Sequence, residues 1–424
     1  VALYEQDYAR ASEQLAASLR GREEKLAANQ NAVADAASFL GLSLYEEGRY
    51  RDSANAFQRC LRFRPDDGMV LNNLALSLHK AGDYIAAEPL FRQTLIIDEK
   101  ALGVDHPLVA IVLNNLAVLL HDKGDHTGAE SLYRRALVID EKSLGPDHPL
   151  VAADLNNLAA LLQDKGDYAE AEPLIRRALV IDEKALGPDR PEVAGCMNSL
   201  AKLLQDKGDY AGAEPLFRQA LAIDEKALGP DHPVVAASMY KLAALLYTEG
   251  DYAGAEPLFR RALIIDEKAL GPDHPDVGTG LNGLASLLFA EGDYAGAEPL
   301  LRRSLAIAEK SLGPDHLSVA TNLNNLALLL KTKGDFAGAE LLCWRAHSII
   351  EKALGADHPL VALSLNNLAF LLEARGDYSG AVPLYRQALA IDEKALGPEH
   401  PTTKQIRINM QLCANKEFDK KMEK

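Results

Sequence analysis

Between residues 109 and 120 the apolar and small side chains fall at Val109, Val112, Leu113, Leu116, Ala117 and Leu120. That is the i, i+3, i+4, i+7, i+8, i+11 spacing of a single helical stripe, so the pattern predicts a helix, here helix A. Pro107 suits its first turn, where a missing N–H costs nothing, and Asp105 puts negative charge near the positive helix end. Gly124 stops it. After a short turn a second helix, helix B, is predicted from about His126 to Leu144, closed by Gly145-Pro146, which allows a left-handed cap and then blocks continuation. Strand signals are absent.

The turn between the two helices repeats. Gly82-Asp83 recurs as Gly124-Asp125, Gly166-Asp167, Gly208-Asp209, Gly250-Asp251, Gly292-Asp293, Gly334-Asp335 and Gly376-Asp377, always 42 residues on. One step upstream the interval is 34, from Gly48 to Gly82, and a half unit lies around Asp7 and Tyr8. The chain is therefore one array. It divides into a partial, helix B-like repeat and linker over 1–31, a 34-residue repeat over 32–65, eight 42-residue repeats over 66–401, and a capping helix with a charged tail over 402–424. Small residues such as Ala117, Ala129 and Ala136 return as Ala159, Ala171 and Ala178 and let helices approach closely. No pair can bury both its apolar faces alone, so stacking must produce one elongated core. Pro89, Pro173, Pro215, Pro257, Pro299 and Pro383 fall inside helix B, where a mild kink is expected.

Composition narrows the function. Of 424 residues 48% are hydrophobic and 25% charged, so disorder is excluded; the net charge of −16 repels phosphate backbones and anionic bilayers, so neither nucleic acid nor a membrane is an expected partner. No window approaches the roughly 18 apolar residues of a membrane span. Val1 to Arg20 is broken by Glu5, Asp7, Arg10 and Glu13 and does not read as a signal peptide, while a start at Val1 reads as a trimmed chain. Cys60, Cys196, Cys343 and Cys413 are far apart and form no CxxC pair, which points to a reducing cytoplasm and away from a zinc site.

In the 34-residue unit Leu40-Gly41, Leu44, Gly48, Tyr50, Phe57 and Pro65 stand at spacings that resemble the tetratricopeptide repeat. The 42-residue units, with Leu113-Asn114-Asn115-Leu116-Ala117, Gly145-Pro146-Asp147-His148-Pro149 and Gly166-Asp167-Tyr168, resemble the kinesin light chain type of that repeat over roughly 66–401. The resemblance implies an all-α, right-handed superhelical solenoid of stacked antiparallel helix pairs. It also implies protein binding, with an extended peptide received in a concave groove lined by helix A, where paired asparagines make the usual contacts. The residues lead to the same face: Ile111, Asn114, Asn115, Val118, His121 and Asp122 form a second stripe on helix A, and a carboxamide offers both donor and acceptor.

Matching positions give an asparagine ladder of Asn72 and Asn73, Asn114 and Asn115, Asn156 and Asn157, Asn198, Asn282, Asn324 and Asn325, Asn366 and Asn367. All are candidate groove contacts; against that stands a structural role in which one asparagine of each pair ties the neighbouring repeat, a role that suits the second as well as the groove does and the first less well. The ladder breaks at Asn198-Ser199, Tyr240-Lys241 and Asn282-Gly283, with Lys202, Tyr247 and Phe289 nearby. Two lysines and three aromatics on an acidic molecule are expected to anchor an acidic peptide segment bearing one aromatic side chain.

Other chemistry is only apparent. Gly278, Gly280 and Gly283 spell GxGxxG, but inside helix A rather than between a strand and a helix, where they would soften the helix or admit a ligand backbone. His106, His148, His232, His274, His316, His358 and His400 lie one helix layer apart, so they are expected to cap helices rather than bind metal. The Asp-Glu-Lys triplets, from Asp98-Glu99-Lys100 to Asp392-Glu393-Lys394, read as solvated faces. There is no P-loop, HExxH or GxSxG, so neither catalysis nor a cofactor is expected. The sequence reads as a peptide-binding scaffold or adaptor, with a regulatory arm of a larger multidomain signalling protein or a structural self-assembling array as alternatives; it sets no oligomeric state.

Overall fold

The computed structural model describes residue 25 and residues 29–422, so the partial repeat read over 1–31 lies almost wholly outside the described residues. There are nineteen helices and no strand among the described residues. A first unit pairs α1 (29–46) with α2 (Tyr50–Leu61). Eight further pairs follow: α3 (Gly68–Lys80) and α4 (Tyr84–Leu102), α5 (Pro107–Asp122) and α6 (His126–Leu144), α7 (Pro149–Asp164) and α8 (Tyr168–Leu186), α9 (Pro191–Asp206) and α10 (Tyr210–Leu228). Then come α11 (Pro233–Glu249) and α12 (Tyr252–Ala269), α13 (Pro275–Ala290) and α14 (Tyr294–Ser311), α15 (Leu317–Thr332) and α16 (Phe336–Leu354), α17 (Pro359–Ala374) and α18 (Tyr378–Ala395). A last helix, α19 (Pro401–Met422), packs on α18 through Ile406, Met410 and Cys413. The pairs stack into a right-handed α-solenoid.

Turn chemistry explains why the pairs form where they do. Gly124, at φ +80°, lets the Asp125 N–H reach back 2.8 Å to the Leu120 carbonyl, which closes α5. The Asp125 carboxylate then accepts the Gly128 N–H at 2.9 Å and opens α6. One Gly-Asp pair thus ends one helix and begins the next. The histidines cap as expected: His148 Nδ1 accepts the Leu150 N–H at 3.2 Å, and His106, His232, His274, His316, His358 and His400 do the same. Since Nδ1 accepts, the neutral ring carries its proton on Nε2. Helix B runs unbroken through its prolines. The carbonyl that loses its donor, four residues back, belongs to an exposed residue such as Ile85 or Ala169, where water replaces the N–H.

The stack buries Leu113, Leu116 and Ala117 from the first helix of a repeat against Ala129, Tyr133 and Ala136 from the second. Beyond this nearest-neighbour core, the solenoid coils back on itself. The Gly48 turn lies against His274 and Pro275, the Gly82 turn against His316, and the Gly124 turn against His358. The last two partners each lie 234 residues on, about five and a half repeats of 42, so adjacent superhelical turns touch along a seam. Leu317 and Leu354 pack there against the cluster holding Tyr84, and the Arg51 guanidinium rests on Gly313.

At the centre of the seam His316 Nε2–H bonds to the backbone of Lys80, and burial, with Arg51 and His79 nearby, pushes its pKa down to about 4. Free imidazole titrates near 6.5. The closed seam therefore holds His316 neutral, and as pH falls from 6.5 through 4 the opened chain takes up a proton that the closed one refuses. The stabilisation is complete above pH 6.5 and lost below 4. Small-angle scattering is expected to show the particle lengthening over that window, and His316→Gln, which keeps a donor but cannot titrate, is expected to keep its dimensions.

Candidate functional site

First helices of successive repeats touch one another, α5 with α7 and α7 with α9, so their second stripe lines the inner hollow. Both members of the asparagine pairs bond to neighbouring repeats. Among the first of each pair, Asn114 donates to Asp154, Asn156 to Cys196 Sγ at 2.9 Å, Asn198 to Ser238 Oγ at 3.2 Å, and Asn282 to Asn322. Two of these partners pass the bond on, Cys196 to Asp182 at 3.2 Å and Ser238 to Asp224 at 2.6 Å. Each relay links two first helices to the second helix packed between them. Asn198 is buried at 5% exposure, its amide nitrogen engaged by Ser238.

Of the second asparagines, Asn115 reaches back to Asn72 at 3.0 Å and Asn325 to Asn282 at 3.4 Å, ties to the neighbouring repeat, while Asn366, the first of its pair, accepts from Asn409 at 3.3 Å. Asn73, Asn157, Asn324 and Asn367 are half-buried and make no side-chain hydrogen bond among the described residues, so their carboxamides remain available.

The break in the ladder holds a hollow of about 630 Å³ that brings together Asn156, Asn198, Ser199, Lys202, Lys241 and Tyr247, with Gln163 and Gln205, over a floor of Ile175 and Phe217. Lys202 is paired with Asp206. Lys241 has no ion-pair partner among the described residues; the enclosing wall pushes its pKa below the usual lysine range, and Asp224 pulls it partly back.

Two of the three expected aromatic anchors stand elsewhere. Tyr240 turns between helices, its ring 6.1 Å from that of Phe259 and its hydroxyl buried against Gly280 and beside Asp266. Phe289 packs on Tyr294 at 5.2 Å and lies half-buried against the core. Only Tyr247 lines the hollow. Two glycines of the GxGxxG string, Gly280 and Gly283, are explained by the same packing. A Cβ on Gly280 would collide with the Tyr240 hydroxyl, and one on Gly283 would stand 2.5 Å from the Phe259 ring.

A second hollow, of about 210 Å³, was not foreseen. Asn324, Asn325 and Asn367 surround Leu328, Lys331 and Phe370, and the Lys331 ammonium sits 3.7 Å above the Phe370 ring centre. A signal for it existed. Lys331 occupies the repeat position of Tyr247 and Phe289, and Phe370 that of Lys202, so following those two columns down the array finds both.

The tetratricopeptide-repeat sequence model matches residues 66–142, 109–184, 151–226, 196–268, 235–285 and 276–342, and a second model of that repeat matches 361–402. The chain belongs to the tetratricopeptide-repeat family. Among solved structures it is similar to a kinesin light chain candidate of Podosopora anserina with nearly identical TPR-like repeats, at 29% identity and TM-score 0.43 over 49% of this chain and 97% of that one. BtubC (BKLC) from P. vanneervenii is similar at 24% identity and TM-score 0.44, over 55% and 91% of the two chains. A Rap protein complexed with competence and sporulation factor shares the fold at 16% identity and TM-score 0.51, over 86% and 98%. No curated protein matches significantly. Tetratricopeptide-repeat proteins are generally non-catalytic interaction scaffolds, and this chain is a protein-interaction scaffold in that general sense.

The charged strings of these tetratricopeptide repeats need one correction. Glu99 and Lys142 do face outward, pairing with Arg135 and Asp105 of neighbouring repeats, but the aspartate of the triplet turns inward. Asp140, Asp182, Asp224, Asp266 and Asp392 are buried where repeats join, and burial raises the pKa of each. No cluster of metal-ligating side chains and no helix apolar enough to cross a membrane occurs among the described residues.

Proposed function

We propose that the chain receives an extended peptide segment of a partner protein along the hollow lined by the first helix of each repeat. The observation that carries this is Lys241, a cation without an ion-pair partner, standing with Lys202 and Tyr247 over the apolar floor of Ile175 and Phe217. Such a site suits an acidic segment with one aromatic side chain. The aromatic ring would fill the floor, the carboxylates would meet Lys241, and the unengaged amides of Asn73, Asn157, Asn324 and Asn367 would hold peptide backbone. A cytoplasmic location accords with four free, buried cysteines.

The test is fluorescence anisotropy with acidic, aromatic-bearing decapeptides. Lys241→Glu is expected to weaken binding at least about tenfold, about 1.4 kcal/mol, whereas Tyr240→Asn, buried away from the hollow, is expected to leave affinity within about threefold, about 0.7 kcal/mol. Equal affinity for wild type and Lys241→Glu would remove the acidic anchor from the proposal.

A further inference from the structure

The seam joins two surface motifs: the turn between the helices of one repeat, and the Asp-His cap that opens another repeat one superhelical turn later. Where they meet, both are covered. Tyr84, beside the Gly82 turn, and His274, the cap over the Gly48 turn, are each only 8% exposed, and their counterparts His316 and Tyr50 are half-buried. The same motifs recur with nothing among the described residues seated on them. At Gly166, Gly208 and Gly250 a Cβ would meet no described atom within 4 Å, whereas at the seam turns Gly48, Gly82 and Gly124 it would strike a cap histidine. On the opposite rim stand the caps of His106 and His148, against which no glycine turn lies among the described residues. His148 Nε2–H has no acceptor among the described residues, whereas the same atom of His316 is bonded to Lys80 across the seam. Leu108 and Leu150, next to these caps, are 49% and 40% exposed.

The two open rims are copies of surfaces that already fit one another inside the chain. Turns point toward one end of the coil axis and caps toward the other, because every turn in the seam meets a cap that comes later in the sequence. We propose that the chain associates head to tail with a second copy of itself, the Gly-Asp-Tyr turns of one copy seating on the Asp-His caps of the next. The occupant is argued from continuity with the seam, which supplies glycine, neutral imidazole, tyrosine ring and leucine contacts between the same sequence motifs. Such a contact joins different patches on the two partners, so it does not close and further copies add to each end. The net charge of −16 opposes the stacking at long range, so association is expected to strengthen as salt is raised. What binds in the hollow does not enter this proposal.

Sedimentation velocity on the full chain from about 1 to about 200 µM tests it by mass action. One variant blocks the caps with His106→Glu and His148→Glu. Another blocks the turns with Ala211→Glu and Ala253→Glu, exposed positions equivalent to Ile85, which borders the seam. Thermal unfolding followed by circular dichroism checks that each folds, and His106→Asn with His148→Asn is the gentler cap variant, since asparagine still caps but lacks the ring donor. Wild type is expected to grow in mass with concentration, and each variant alone to stay a monomer. An equimolar mixture of the two is expected to double in mass and stop, because only one intact turn rim and one intact cap rim are present per pair. A wild-type monomer across the whole range, variants that associate like wild type, or a mixture that stays monomeric would each overturn the proposal. General charge repulsion from the added glutamates would prevent the mixed dimer, so it cannot imitate the expected result.

Discussion

Replacing Asp154 with asparagine is expected to stabilise the protein at pH 8 by several kcal/mol and to flatten its stability between pH 4 and 7. Asp154 is 2% exposed and faces Asp140 across the junction of two repeats, with Glu141 adding negative charge. Burial first, opposed by the bond from Asn114, drives its pKa up from 3.8 to about 7. The pair therefore shares a proton near neutrality, and the fold holds that proton more tightly than the unfolded chain does. By linkage the unfolded state binds fewer protons throughout this window, so stability falls as pH rises from 3.8 through 7. A shift of this size corresponds to an upper limit on the order of 4 kcal/mol. Asparagine keeps an acceptor for Asn114 and gives Asp140 a donor, so the buried charge is relieved without opening a cavity. Other repeats already place neutral groups in this column, with Cys196, Ser238, Asn322 and Ser364. Denaturant titrations from pH 4 to pH 8 check the result. Curves for wild type and Asp154→Asn should meet near pH 4 and separate steadily above it; parallel curves would show that the two carboxyls do not share a proton.

The carboxyl pair also shows why part of the molecule was legible and part was not. Helix pairs could be read because their boundaries rest on contacts within five residues: a glycine at positive φ, an aspartate accepting from the third N–H onward, a histidine accepting from the second. A 42-residue recurrence of such local chemistry leaves little room for another architecture. The inward aspartate was hidden because it sits in an Asp-Glu-Lys string whose other two members do face outward, and only the repeat-to-repeat register, 14 residues from Asp140 to Asp154, shows what it meets. The stacking bonds made by the first asparagines were hidden for the same reason. Adjacent residues on a helix differ by a rotation of about 100°, and which of two neighbours looks toward the next repeat depends on how the first helices are turned against one another. The seam was least legible, since it arises from the rotation accumulated over five and a half repeats, and no single repeat carries a residue that states that angle.

The irregular middle of the array yields the second large effect, and it concerns two residues 40 apart. At the regular junction Asn198, Ser238 and Asp224 form a bonded relay; one repeat later the same three columns hold Tyr240, Gly280 and Asp266. The tyrosine ring fills the space that a serine side chain would need, and the glycine is the consequence. Gly280→Ser alone is expected to destabilise by about 2 kcal/mol, because its Cβ would overlap the Tyr240 hydroxyl and force the ring from its site. Tyr240→Asn alone is expected to cost about 2 kcal/mol through the cavity left beside Phe259 and Gly280. The double variant rebuilds the relay of the preceding repeat, so its two losses should largely cancel, with a coupling energy of about 2–3 kcal/mol. Denaturant unfolding of the four proteins measures this directly. Additive losses would mean that tyrosine and glycine are independent accidents of the array; strong coupling would mean that the break in the asparagine ladder at Tyr240 is a repacking of the stack, leaving Lys241 beside it as the residue that faces the hollow.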